Sequence, residues 1–220
     1  MQINPEPLKP SEYTSRIQQN TEAIKSIAVL NFTPSNRLET AGMISTLKVD
    51  VNLPNDGKIS TDITERELFK YIDIIDRQTI DKVLQELNLQ NSSSFDESTA
   101  VEVGKLVGCS AVLTGHVDYA YAKLRSKSGY GGAYLATYLG YVSLNMRLID
   151  VRTGKILWIG SISRNSQNYL SEPLKATNVE FIKNPDLFTS KMHGSNPEQI
   201  IQFLLKEAIK ESMENLSSHL

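Results

Sequence analysis

The sequence predicts an α+β fold, an α/β sandwich in which helices pack on a mainly antiparallel or mixed sheet. Three observations predict it. Residues 134–148 and 155–163 read as two long strands joined by the turn Asp150-Val151-Arg152-Thr153-Gly154, with glycine where positive φ is tolerated. On the first of these strands Val142, Leu144, Met146 and Leu148 alternate with Ser143, Asn145 and Arg147, the pattern of a sheet with one dry and one wet face. Elsewhere the apolar spacing switches to the helical period, most clearly at residues 197–216. The order β, β, α, β, α, α, β, β, β, α places helices on one face of such a sheet.

Taken along the chain, residues 1–22 carry Pro5, Pro7 and Pro10 among polar residues and read as a tether rather than a packed element. Residues 26–32 are a short β-branched apolar run ended by Thr33-Pro34-Ser35-Asn36, hence a buried strand. Leu47, Val49, Val51 and Leu53 alternate with polar residues, a half-buried strand stopped by Pro54-Asn55-Asp56-Gly57. The period then changes. Ile59, Ile63 and Leu68 fit a one-sided helix, and residues 71–76 the next strand. Asp76 caps a helix whose stripe is Ile80, Val83, Leu84 and Leu87. After a loop at 91–94, Asp96 or Ser98 begins a helix through Ala100, Val103, Leu106 and Val107, closed by Gly108. A strand covers 111–121, and residues 164–196 are polar and irregular. Asn196 before Pro197 opens a helix with Ile200, Ile201, Leu204, Leu205, Ala208, Ile209 and Met213 on one stripe. The expected organisation is a tether at 1–22, one domain at 23–216 and a tail at 217–220.

A chain of 220 residues, 40% hydrophobic and 22% charged, can bury one good core. Its net charge of -2 gives no reason to expect nucleic acid, and Lys123, Arg125 and Lys127 read as a solvated strand or loop face. Cys109, the single cysteine, follows a helix stop and starts an apolar run, so it reads as a small buried hydrophobe. No stretch approaches the ~20 apolar residues of a membrane-spanning helix. Met1 opens on Gln2-Ile3-Asn4-Pro5 without a basic and apolar export segment, which leaves a cytoplasmic chain or one trimmed of that segment.

His116, in Thr114-Gly115-His116-Val117-Asp118, has only Asp118 as a local partner and reads as a hydrogen-bonded strand residue. Along this stretch Val117, Tyr119 and Tyr121 alternate with the even positions. His193 falls in the irregular segment and His219 in the tail. No HExxH, HxH or EF-hand spacing points to a metal site. Gly129-Tyr130-Gly131-Gly132 lacks both the Gly-Lys-Ser/Thr ending and the strand-to-helix setting of a phosphate loop. Neither a catalytic residue nor a cofactor site emerges from these patterns.

Four segments together resemble the CsgG family of curli production assembly/transport component-like envelope lipoproteins. They are residues 27–32 (Ile-Ala-Val-Leu-Asn-Phe); Ile74-Ile75-Asp76-Arg77 with the helix ending Val83-Leu84-Gln85-Glu86-Leu87; residues 98–115 with Gly104-Lys105-Leu106-Val107-Gly108-Cys109; and residues 142–157 with Asp150-Val151-Arg152-Thr153-Gly154. Order and spacing agree over about residues 26–163. The family is also similar to the peptidoglycan-synthase activator LpoB and to the amino-terminal domain of TolB, whose fold the resemblance implies. It further implies a periplasm-facing protein associated with the outer membrane of a Gram-negative bacterium and anchored by a lipid on an N-terminal cysteine. This sequence lacks such a cysteine, so the resemblance makes residues 1–22 the tether and the export segment a trimmed one. The insertion at residues 47–53 departs from the family's tighter spacing, and the C-terminal third resembles it only in its helix.

Family members act by binding and assembly, so the expectation is a non-catalytic, envelope-tethered protein with an envelope protein as partner. The alternative is a subunit of an oligomeric outer-membrane secretion channel of the curli type; a cytoplasmic enzyme is a distant third. A barrel strand needs ~9–11 residues of alternating character with aromatics at the interfaces. Tyr134, Ala136, Tyr138, Gly140 and Val142 partly meet that need. Residues 164–196 cannot supply a lipid-facing row, since a lysine there would cost roughly 2–4 kcal/mol at mid-membrane. The charged, glycine-rich 123–132 is equally unsuited. The binding-module reading therefore leads, with Tyr119, Tyr121, Tyr130, Tyr134 and Tyr138 as the candidate partner contacts, because aromatics beside flexible glycines suit recognition surfaces.

Overall fold

The computed structural model describes residues 13–17, 24–35, 43–44, 47–48, 50–89, 92, 95–130, 133–166 and 197–220, with backbone alone at 13–17, 43–44, 47–48, 125–130 and 133–137. Its strands are β1 (Tyr13–Ile17), β2 (Ser26–Val29), β3 (Met43–Ile44), β4 (Leu47–Lys48), β5 (Asp50–Asn52), β6 (Asp73–Ile74), β7 (Ala111–Tyr130), β8 (Ala133–Asp150) and β9 (Ile156–Asn165). Its helices are α1 (Asp56–Leu68), α2 (Arg77–Glu86), α3 (Glu97–Val107) and α4 (Pro197–Ser217). Seven strands form one mixed sheet in the order β1-β9-β8-β7-β2-β6, with β5 also on β7, while β3 and β4 pair separately. Only the β2–β6 and β2–β7 pairings are parallel. The fold is α+β, as the patterning implies.

Local chemistry sets the helix ends. The Asp76 carboxylate accepts the Thr79 amide and starts α2, and Asp96 does the same for Thr99 at α3. These hydrogen bonds favour the charged form, so both carboxyls lie below their ordinary range. Gly108 ends α3 at φ 78, a left-handed conformation that a side chain disfavours. Asp56, 3% exposed, accepts the Ser35 amide, its hydroxyl and the Gly57 amide, which ties the chain after β2 to the start of α1.

Two cores lie on opposite faces of the sheet. Under α1 and α4 sit Ile27, Val29, Leu113, Val117, Leu144, Met146, Leu148, Trp158 and Ile162, together with the α4 stripe. Under α2 and α3 sit Ala28, Leu30, Val112, Ile149 and Val151. The alternation along β2 and at the start of β7 sends neighbouring residues to different layers. Helices therefore cover both faces, where the element order alone pointed to one. Leu106, expected in the α3 stripe, is 56% exposed, because the second core is small and α3 turns that residue away from it.

Other departures are local. Within the expected tether, Tyr13–Ile17 form β1 and pair antiparallel with β9. The strand expected at 71–76 shrinks to Asp73–Ile74. In the expected tail, the His219 amide donates to Leu216 O at 3.0 Å, and Leu220 packs against the larger core. Arg164 and Asn165, expected in the irregular segment, complete β9, where Arg164 reaches Glu211 on α4. The rest of that segment, 167–196 with His193, lies outside the described residues.

Candidate functional site

The outward face of the sheet, away from α1 and α4, is divided. α2 and α3 cover one end of it. Beyond Val112 and Ile149 none of the described helices covers it, and its row of polar side chains runs across β7, β8 and β9. The register places His116 opposite Asn145, Tyr119 opposite Ser143, and Ser143 opposite Ser163. Asp118 is the hub of this row. Its Oδ2 accepts from Ser143 Oγ at 2.8 Å and Asn145 Nδ2 at 2.7 Å, and its Oδ1 lies 3.6 Å from His116 Nε2. Ser163 Oγ donates to Ser143 Oγ at 3.1 Å.

Asp118 holds this place because β7 is irregular there. The register slips by one residue between Val117 and Tyr119, a β-bulge that inserts Asp118 between them. The slip reverses the facing of the residues from Tyr119 to Leu124. Before it, odd-numbered Leu113 and Val117 are buried under the helices; after it, even-numbered Ala120, Ala122 and Leu124 take over. Tyr119 and Tyr121 do not share a face with Val117, as plain alternation would have it. They stand on the opposite side, half-buried, in a ladder with Tyr141. Tyr119 and Tyr121 have ring centroids 5.8 Å apart at 59°, and Tyr121 stacks on Tyr141 at 5.1 Å and 21°.

Past this ladder β7 and β8 continue as a hairpin. β7 runs to Tyr130, well beyond the strand end expected at residue 121. β9 accompanies β8 only from Tyr141 inward, and β5 accompanies β7 only at residues 121–123. From the pair Leu124–Tyr138 to the pair Tyr130–Ala133, the two strands form an arm that pairs, among the described residues, only with itself. A second slip, between Leu124 and Ser126, sits at its root.

The candidate contacts thus divide into three groups. Tyr119 and Tyr121 belong to the ladder. Tyr138, at the root of the arm, is 8% exposed and packs in the larger core, and burial pushes its phenol above the usual range. Tyr134 pairs with Gly129 in the arm and Tyr130 ends β7, the side chains of both lying outside the described residues. The sequence does not point to Tyr141, and it points to Asp118 only as the local partner of His116. Pairing Tyr130 with Ala133 and allowing one bulge at Arg125 would have brought Tyr121 opposite Tyr141.

Nothing among the described side chains forms a catalytic arrangement. Ser143 donates to Asp118, not to His116, so the three do not make a nucleophile, base and orienting acid. Cys109 is buried, and desolvation raises its thiol pKa. Among the described residues there is no group of three metal-ligating side chains, and no helix is long and apolar enough to cross a membrane.

A family model described as "Curli production assembly/transport component CsgG" matches residues 59–220. The chain belongs to the CsgG family. This agrees with the resemblance carried by the Ile74-Arg77, Gly104-Gly115 and Val142-Leu157 segments. Among solved structures, the chain is similar to lipoprotein GNA1162 from Neisseria meningitidis at 20% identity and TM-score 0.44, covering 73% of this chain and 99% of that one. A PelC dodecamer from Paraburkholderia phytofirmans is 14% identical with TM-score 0.42, covering 91% and 96%. The C-terminal domain of LpoB from Escherichia coli is 19% identical with TM-score 0.41, covering 67% and 87%. No curated protein matches the chain significantly.

Proposed function

We propose that this CsgG-family chain is a non-catalytic binding or assembly protein, tethered in the periplasm at the outer membrane, that works through protein–protein contacts. The observation that carries the reading is the β7–β8 arm, a hairpin that leaves the sheet beside an aromatic ladder. Tyr119, Tyr121, Tyr130 and Tyr134 are its proposed contact residues, with Tyr138 anchoring the arm in the core. A hairpin whose edges pair with no other described strand, beside clustered tyrosines, suits a recognition surface, because rigid aromatic side chains give large contact area at low entropic cost. The partner is an envelope protein or a further copy of the chain.

The same arm favours a second reading, a subunit of an oligomeric secretion channel, since long paired strands are the raw material of a barrel. The self-paired part argues against it. Six to seven residues at about 3.3 Å each give about 20 Å, short of the ~25 Å apolar band of an outer-membrane barrel. Its β7 side also carries Arg125 and Lys127.

Light scattering with and without detergent separates the two. A monomer or dimer under both conditions is the expected result. A large ring that forms only in detergent would replace the binding module with the channel subunit.

A further inference from the structure

The open face holds a pocket that neither reading uses. It has a volume of about 450 Å³ and lies where the end of β2, β7, β8 and β9 meet the start of α3. Its polar lining comes from Asn31, Thr33, Thr114, His116, Asn145 and Arg147, and Phe95 and Ile159 supply apolar wall. The sheet sets these positions. Thr114 faces Arg147 and His116 faces Asn145 across β7 and β8, Ile159 faces Arg147 from β9, and Thr33 bridges to His116 from beyond β2. The volume falls in the ordinary range for small-molecule sites.

The lining can offer several donors to one ligand, beside the hydroxyls and the Asn145 amide oxygen that can also accept. Asn31 Oδ1 accepts from Arg77 Nη1 at 3.1 Å, and its amide nitrogen, with two N–H groups, makes no hydrogen bond among the described residues. The hydroxyls of Thr33 and Thr114 make no hydrogen bond among the described residues. Arg147 has five N–H donors, and Nη1 spends one on Glu97 Oε1 at a long 3.4 Å. That pair is half exposed on both sides, so it holds Arg147 weakly. Asp118 is not part of the lining; its Oδ2 accepts from Ser143 and Asn145, and its Oδ1 lies 3.6 Å from His116 Nε2. A surplus of donors around a planar cation selects a ligand that only accepts, and the guanidinium fork matches a carboxylate.

We propose that this pocket binds a carboxylate, gripped by the free edge of Arg147 beside Thr114, with Asn31 and Thr33 meeting a second acceptor such as the neighbouring amide carbonyl. Adjacent strands lie about 4.8 Å apart, so Arg147, Thr114 and Asn31 span about the length of one acylated amino acid. Phe95 and Ile159 take its apolar side chain. The site is independent of the arm, so the two proposals can fail separately.

The test is a titration of the 220-residue chain followed by amide NMR shifts. Three probes are used: N-acetyl-leucine, its uncharged amide, and N-acetyl-aspartate amide. Saturable shifts at Thr114, His116 and Arg147 are expected with a carboxylate probe and not with leucine amide. If N-acetyl-leucine is the stronger, the natural source is a chain terminus; if the aspartate probe is, an acidic side chain. The exposed Arg147→Gln change weakens binding by about tenfold or more, whereas Glu97→Gln, which frees the guanidinium, strengthens it. No saturable shift, equal shifts with the uncharged amide, or unchanged binding in Arg147→Gln with its spectrum otherwise intact would overturn the proposal.

Discussion

Strands β7 and β8 pass through two environments, and the contrast separates packing from exposure. Toward α1 and α4, Val142, Leu144, Met146 and Leu148 are fully buried, and Gly140 lies so close under α4 that an added Cβ would sit 2.6 Å from Ile200 Cγ2. On the outward side the same strands carry Ser143, Asn145 and Arg147, an aromatic ladder, and then an arm with no companion strand among the described residues. The first environment tolerates almost no change of volume, because interiors are packed like crystals. The second is held by hydrogen bonds and ring contacts that leave side chains available. The larger core lies on one face of these strands, and the proposed contact surface lies on the other.

The sharpest way to break this contrast is to empty the dry face. Trp158 is fully buried and its indole N–H donates to Asn215 on α4 at 3.2 Å. Trp158→Ala should cost about 3–5 kcal/mol in denaturant unfolding. Overfilling the same face comes next: Gly140→Val should cost about 1–3 kcal/mol by driving the start of α4 off the sheet, read as a loss of both midpoint and helix content. On the outward face, Tyr141→Ala removes the stacked partner of Tyr121 and should cost about 0.5–1.5 kcal/mol of ring interaction, while weakening partner binding more than it lowers stability. Equal losses from Tyr141→Ala and Trp158→Ala would erase the distinction between the faces.

Acid tests the helix caps. Asp76, Asp96 and Asp150 are held below their ordinary 3.8: Asp76 and Asp96 by the hydrogen bonds they accept from Thr79 and Thr99, Asp150 by turn hydrogen bonds from Thr153 and Arg152 that outweigh its burial. A depressed folded-state pKa gives stability that is complete above the unfolded value and disappears as pH falls through the folded one. Glu65 runs the other way: burial raises it above its ordinary 4.5 against the pull of Arg77, so its contribution is present below that value and fades as pH rises through the folded one. Stability measured from pH 6 down to pH 2 should therefore fall most steeply below 3.8, and Asp76→Asn with Asp96→Asn, which keep the caps, should flatten that fall. The smallest expected effect is at Ser212, whose buried hydroxyl on α4 has no hydrogen-bond partner. Ser212→Ala should leave stability unchanged or raise it by up to about 1 kcal/mol.

Much of this was legible in the residues. Asp76 and Asp96 announced their helices, Gly108 and Gly154 marked the turns that the structure closes with positive φ, and the alternation from Val142 to Leu148 gave the dry face directly. The outward site was harder to see, for physical reasons. A bulge has no residue signature at Asp118, yet it reverses the facing of the stretch up to the second slip, so plain alternation puts Tyr119 and Tyr121 on the wrong side. The arm was lost because Lys123, Arg125, Ser126, Lys127 and Ser128 are poor strand formers whose conformation comes from pairing with β8. β1 was hidden for the same reason: five residues beyond a proline-bearing stretch become a strand only because β9 offers an edge. Burial writes itself into sequence; pairing at an edge largely does not.

β1 also bears on how the chain assembles in time. Its register joins Tyr13 to Ile162 and Ile17 to Trp158, so its partner is made at the far end of the chain. The β7–β8–β9 meander needs only neighbours in sequence, and such local contacts form early, whereas closing a loop of this length is entropically slow. β1 therefore docks last and, being a five-residue edge, is the first piece to peel away. During synthesis the nascent β1 waits until the chain has passed residue 162 of 220, and in the folded protein it should exchange its amide hydrogens ahead of the strands it borders.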